Sequence, residues 1–222
     1  MAAFLANVGV NSSHAAVSPV SEDGRFDLVP IPERQAWRPP MLRLSDLPHL
    51  AIHAPATWRD RAVHLDPDLS PGTPTYGDNC RRAGRAFSLR RARPGDLIVF
   101  LARLRPAGRP ARFHLVGSLE IEDSVEDVDR DPGQGWWDGN AHVRRARATG
   151  VWDSFWVFKG TPRSCLLARA KPFERQDSRR VFSDRWLWPD HRSELQTIGS
   201  HTRAVRRVEG AGEEWLRTAC RS

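Results

Sequence analysis

Asn11-Ser12-Ser13-His14 stands directly after a short apolar run, Phe4 to Val10, that reads as a strand buried on both faces. A strand needs only a turn after it, and this connection carries an amide, two hydroxyls and an imidazole. Amides and hydroxyls can read donor and acceptor patterns on a base edge. An imidazole titrates near neutral pH, which suits general-base work. The same side chains can instead hold their own loop, and the residue types leave both readings open. Glu33 follows a second strand-like run, Phe26 to Ile31. It is placed to orient His14, to accept from an exocyclic amine, or simply to be solvated. Asp78, in Tyr76-Gly77-Asp78, is either the N-cap of a short helix through Ala86 or an acid facing a pocket. His14, Glu33 and Asp78 are thus the acid-base candidates, with no role assigned among them.

The stretch Asn140-Ala141-His142-Val143-Arg144-Arg145 has the chemistry of an anion site. Asn140 can cap a helix whose first amides favour a phosphate. Residues two apart do not share a helical face, so at most two of His142, Arg144 and Arg145 should meet one ligand. His201 and Arg203, after Gly199, have the right types for base or phosphate contact. Nine tryptophans are many for this length. Buried Trp is usually core, which is where Trp156 is expected, but Trp136 and Trp137 flank Asn140 in a loop and could stack on a base. The expected ligand-binding set is Asn11, Ser13, His14, Trp137, Asn140, His142, Arg144, Arg145, His201 and Arg203.

Elements must position these groups. Leu97 to Leu104 is the clearest strand, introduced by a Pro94-Gly95-Asp96 turn and partnered by the run from Arg112 across a Pro- and Gly-containing connection. A short helix is expected near Leu42 to Leu47, another from Asn140, a strand at Phe155-Trp156-Val157-Phe158, and a helix over the last residues from Gly210. Strands outnumber helices and most connections look local, which argues for a small barrel or α+β fold rather than a doubly wound sheet.

The chain has 222 residues, 40% of them hydrophobic and 27% charged, which suits a single domain over 1–222 with a real core. Its formal charge is +7, and all but two of its 34 basic residues are arginine. Guanidinium groups fork onto phosphates and stack on bases, so the expected partner is nucleic acid or a nucleotide rather than a membrane. Three well-separated cysteines suit a reducing compartment, here the cytoplasm, and neither Cys nor His spacing suggests zinc or another metal. No Walker loop, Rossmann fingerprint or Ser-His-Asp order is present, and no cofactor is expected. The oligomeric state is left open.

Two resemblances sharpen this. "RPGDLIVFLARL" with "RFHLVGSLEI" resembles the central strands of PUA-like domains (PUA, ASCH and EVE modules), which lie beside a pocket for a nucleotide or modified base. "NVGVNSSHAAVSP", "DGRFDLVPIPE", "YGD", "PGDLIVF", "NAHVRR" and "GSH", in that order, resemble the nucleotide-modification-associated domain family of the third type, a set of bacterial and phage proteins. The resemblance runs from Asn7 to about His201. It implies an α+β fold built on a PUA-like mixed β-barrel, with flanking short helices and irregular N- and C-terminal extensions. It also implies a role in a base-modification system, binding a modified base or nucleotide in a polar pocket. An enzyme acting on such a base by hydrolysis or group transfer is the alternative, and an adaptor in phage defence is a third.

Overall fold

In a computed structural model the protein is described over residues 1–221 except 12, 34–40, 71 and 183–186. The elements are β1 (Ala3–Val8), β2 (Ser18–Val20), β3 (Ile31–Pro32), α1 (Pro48–Ala51), β4 (Val63–His64), β5 (Thr75–Asp78), β6 (Leu97–Pro106), β7 (Arg112–Val128), α2 (Ala141–Thr149), β8 (Phe155–Gly160), β9 (Cys165–Pro172), α3 (Arg175–Phe182), α4 (Glu194–His201), β10 (Arg206–Val208) and α5 (Ala211–Cys220). Eight strands form one mixed sheet in the order β10-β1-β6-β7-β8-β5, with β2 added to β6 and β9 to β7. Strands β3 and β4 make a separate antiparallel pair.

The architecture is α+β, as the strand-rich pattern predicts. The sheet is mixed, and among the described residues no pairing joins β10 to β5 to close it into a barrel. The topology is also less local than the turns suggest. β1 and β2 both run parallel to β6, and such pairings leave no hairpin signal in the sequence because the partners are far apart.

Alternation along the central strands explains the two sides of the sheet. Ala3 and Leu5 of β1 and Leu97, Val99 and Leu101 of β6 face a core completed by Phe173, Val181, Ile198 and Leu216 from the helical side. The intervening Phe4, Ala6 and Val8, with Ile98, Phe100, Ala102 and Leu104, face a second core that takes in Tyr76, Leu89, Trp156 and Phe158. Both faces of β1 and β6 are therefore buried, which accounts for their nearly unbroken apolar runs.

Several expected elements shift. Asp78 ends β5 instead of capping a helix, and residues 81–86 are turn and bend before a 3-10 segment at Phe87–Arg91. The 3-10 turn Leu44–Asp46 and α1 replace the short helix expected near Leu42 to Leu47. The run Phe26 to Ile31 supplies only a bridge from Phe26 to Val20 and the start of β3. Its prolines remove the amide donors that a longer ladder would use.

Candidate functional site

The face that carries Ala3 and Leu5 on β1 reaches Asn7 two residues later. On β6, registered in parallel with Asn7 opposite Leu101, the same face continues to Arg103. A cavity of about 790 Å³ opens here, lined by Asn7, Leu101, Arg103, Phe113 and, from α4, Leu195, Gln196 and Gly199. Its volume falls within the range of about 300–1,000 Å³ usual for small-molecule sites. Gly9 lets the chain leave β1: its φ is +70°, and a Cβ there would stand 2.6 Å from Leu28 Cδ1. The loop that follows brings Asn11 and Ser13 to the rim, with Arg85 and Arg203 also on it.

The polar groups here are not all satisfied by one another. Asn7 donates to the Thr202 carbonyl and hydroxyl at 3.0 and 3.1 Å, while its Oδ1 is buried without a hydrogen-bond partner among the described residues. Arg103 Nε is also buried without one. Burial lowers the Arg103 pKa from its ordinary value, and the positive charge of Arg105 lowers it further. A partly desolvated guanidinium beside a like charge is a group that an anion would stabilise. Arg85 is already committed, reaching Asp78 Oδ2 and the Asn7 carbonyl at 3.2 Å each. Asp78 also accepts from the Tyr76 hydroxyl at 2.7 Å, so this acid holds the cavity wall.

A larger groove, about 910 Å³, lies along Val17, Pro19, Phe26, His53, Pro55 and Arg105. Its one carboxylate, Asp27, is engaged by His53 at 2.9 Å. The Asn7–Arg103 cavity is the stronger candidate because it is the deeper of the two and holds buried polar atoms left unpaired among the described residues.

A second polar cluster sits behind β3. Ile31, which lines the cavity, is the β-pair partner of His64. His64 Nδ1 contacts Glu33 Oε1 at 2.9 Å, and its Nε2 is 3.7 Å from Asp66 Oδ2. His142, on the first turn of α2, brings Nε2 to 3.4 Å from the same oxygen. The Gly77 amide donates to both Asp66 oxygens, at 2.9 and 3.2 Å. Burial lowers the His64 pKa, but Asp66 and Glu33 outweigh it and raise the value to about 9. Burial likewise raises the Asp66 carboxyl, and the two imidazoles outweigh that and hold it below its usual value. The Glu33 carboxyl is lowered in the same way, by His64 against its own burial. His142 goes the other way, lowered first by burial and then by the charge of His64.

The sequence-predicted residues divide among several places. Asn11, Ser13 and Arg203 line the cavity. His14 lies next to it, its Nδ1 accepting from the Asn11 amide at 3.1 Å and its ring edge-on to Trp58. Glu33 pairs with His64 at 2.9 Å. Asn140 does cap α2, accepting from the His142 amide at 2.9 Å and donating to Thr75 Oγ1 at 3.2 Å. Arg145 bonds Asp153 at 3.2 Å, while Arg144 lines a small depression with Leu42 and Val63. The two neighbours diverge, as their helical offset demands. His201 packs edge-on against Trp188, and its carbonyl accepts from Arg206.

Trp136 and Trp137 do not line the cavity. Their indole N–H groups donate to Asp123 and to the Gly133 carbonyl, and both side chains pack against the apolar cluster that includes Val128, Val143 and Phe155. Trp156 is core, as expected. Ser12 and Trp186 fall outside the described residues. Sequence reasoning missed Asn7, Arg103, His64 and Asp66. For Asn7 and Arg103 the signal was present, as polar residues ending apolar strands on the alternating pattern.

Comparison with known proteins adds one finding. The family model for nucleotide modification associated domain 3 matches residues 3–221, nearly the whole chain, and the chain belongs to that family. No curated protein and no solved structure matches. No helix among the described residues is long and apolar enough to cross a membrane.

Proposed function

With that family membership as premise, we propose that the protein binds a nucleotide or an extruded modified base in the cavity bounded by β1, β6, β7 and α4. The observation that carries this reading is the pair of buried atoms unsatisfied among the described residues, Asn7 Oδ1 and Arg103 Nε, at one cavity. An amide oxygen can accept from a base or ribose, and a guanidinium can fork onto a phosphate. Arg203, exposed on the rim, adds a second positive charge to the mouth, and Asn11 and Ser13 add adaptable donors and acceptors. The likeness of β6 and β7 to PUA-like strands supports the same assignment, because Leu101, Arg103 and Phe113 of those strands form the cavity wall.

Binding of nucleoside monophosphates and of the matching nucleosides, measured calorimetrically, tests the reading. Losing a hydrogen bond to a charged group costs about 1.5–3 kcal/mol, so Arg103→Ala should weaken nucleotide binding about 10- to 150-fold while changing nucleoside binding little. Equal affinity of Arg103→Ala and the parent protein for every nucleotide that binds would refute it.

A second reading, an enzyme acting on the same nucleotide by acid-base chemistry, draws on one observation. The cavity wall at Ile31 is paired to His64, which sits between two carboxylates. Turnover of a modified nucleotide, lost in His64→Gln, is the measurement that favours it.

A further inference from the structure

We propose that His64, Asp66 and His142 form a binding site for one divalent first-row transition ion, with Glu33 orienting His64. The proposal is independent of the nucleotide cavity. Each of the three residues offers one ligand atom, all within 4.8 Å of one another. The Asp66 Oδ2 contacts, 3.4 Å to His142 Nε2 and 3.7 Å to His64 Nε2, are longer than the 2.7–2.9 Å typical of charge-assisted hydrogen bonds. They approach the edge of a tetrahedral coordination shell. Metal–ligand bonds of about 2.0–2.2 Å at tetrahedral angles separate neighbouring donors by about 3.3–3.5 Å.

The supporting shell is that of a metal site. A ligating imidazole commonly donates its other ring N–H to a carboxylate, which fixes the tautomer and ring orientation. His64 does this through Nδ1, 2.9 Å from Glu33, leaving Nε2 directed to Asp66. Asp66 is held by the Gly77 amide through both oxygens. Gly77 also makes room, since a Cβ there would lie 2.6 Å from His142 Cδ2. A separate observation concerns His142, which is 8% exposed with Nδ1 buried and no hydrogen-bond partner. Among the described residues its Nε2 has the 3.4 Å approach to Asp66 and no closer polar contact. A ring this buried with neither nitrogen well bonded is costly; coordination would satisfy Nε2, the nitrogen that faces Asp66, and leave Nδ1 as it is.

Two imidazoles and one carboxylate suit zinc or iron, whereas magnesium and calcium favour all-oxygen sites. Three protein ligands leave at least one position for water or a substrate oxygen.

The test uses chelator-treated full-length protein titrated calorimetrically with Zn2+, and separately with Mg2+, alongside Co2+ absorption to report tetrahedral coordination. The expected result is one equivalent of Zn2+, no comparable Mg2+ binding, and visible Co2+ bands. Asp66→Asn should abolish binding, and Glu33→Gln, which alters only the orienting group, should weaken it about 10- to 100-fold. Circular dichroism checks folding, and if Asp66→Asn does not fold, Glu33→Gln decides. Absence of one-equivalent binding by the parent protein overturns the proposal. So does wild-type affinity in Glu33→Gln, or Mg2+ binding as tight as Zn2+.

Discussion

Replacing Gly77 with alanine probes the seat of α2 with a single methyl group. Gly77 has an ordinary strand backbone, so its need for glycine is spatial. The added Cβ would come 2.6 Å from His142 Cδ2, 2.9 Å from Asn140 Oδ1 and 3.2 Å from His142 Cγ. Carbon atoms at rest sit about 3.5–4.0 Å apart, so the imidazole must retreat by about 1 Å. It has little room to do so, since His64 lies 4.4 Å and Phe155 5.3 Å away, centroid to centroid. Asn140 is fully buried and holds α2 through its cap and its bond to Thr75. Overpacking of this kind costs about 1–3 kcal/mol, and the stiffer unfolded chain returns about 0.4–1 kcal/mol. A net loss of about 1–2 kcal/mol lowers the melting temperature of a chain this long by about 2–8 °C. Differential scanning calorimetry reads it directly. At Gly139, on the adjacent turn, an added methyl group would meet nothing within 4 Å, so Gly139→Ala is the control and should not lower the melting temperature. A Gly77→Ala protein that melts within about 1 °C of the parent would refute the close packing of His142 on β5.

Three further outcomes follow from the same geometry. Asn140→Ala removes the α2 cap and should destabilise the protein by about 0.5–2 kcal/mol, read by urea denaturation; an unchanged midpoint would contradict the cap. Burial lowers the His114 pKa below its ordinary 6.5, so the folded state binds fewer protons than the unfolded one below that value. The stability this contributes is complete above pH 6.5 and is lost as pH falls; His114→Gln should therefore flatten the decline of melting temperature between about pH 7.5 and 5.5, and an equally steep decline in the variant would show the sign to be wrong. Trp136→Phe and Trp137→Phe should lower stability, by losing the bonds to Asp123 and Gly133, and leave nucleotide affinity unchanged; a tenfold or greater loss of affinity at either would return it to the binding site.

The sequence made the central hairpin legible because Leu97 to Leu104 and its partner are strongly apolar and are bounded by turns. It made the start of α2 legible because an N-cap is local chemistry: Asn140 and the next amides lie within one turn. The parallel pairing of β1 with β6 was not legible, since its signal is a match between distant apolar runs. That pairing is what joins Asn7 to Arg103. The His64–Asp66–His142 cluster was obscured for a related reason. β4 is two residues long, too short to show a period, and its partner histidine comes from α2. The Asp78 helix failed because Tyr76 and Asp78 are buried in a strand, where the acid binds Tyr76 and Arg85 instead of capping a helix. The tryptophan pair misled because a loop position resembles a stacking platform until the indole N–H groups are seen to be bonded inside the protein.

A crystal structure of the protein with a nucleoside monophosphate that binds in solution tests the central claim most directly. The phosphate is expected against the Arg103 guanidinium with Arg203 nearby, and a base or ribose group should donate to Asn7 Oδ1. A nucleotide found in the Phe26–His53 groove, or on the outer surface of α2, with the Asn7–Arg103 cavity unchanged, would contradict it.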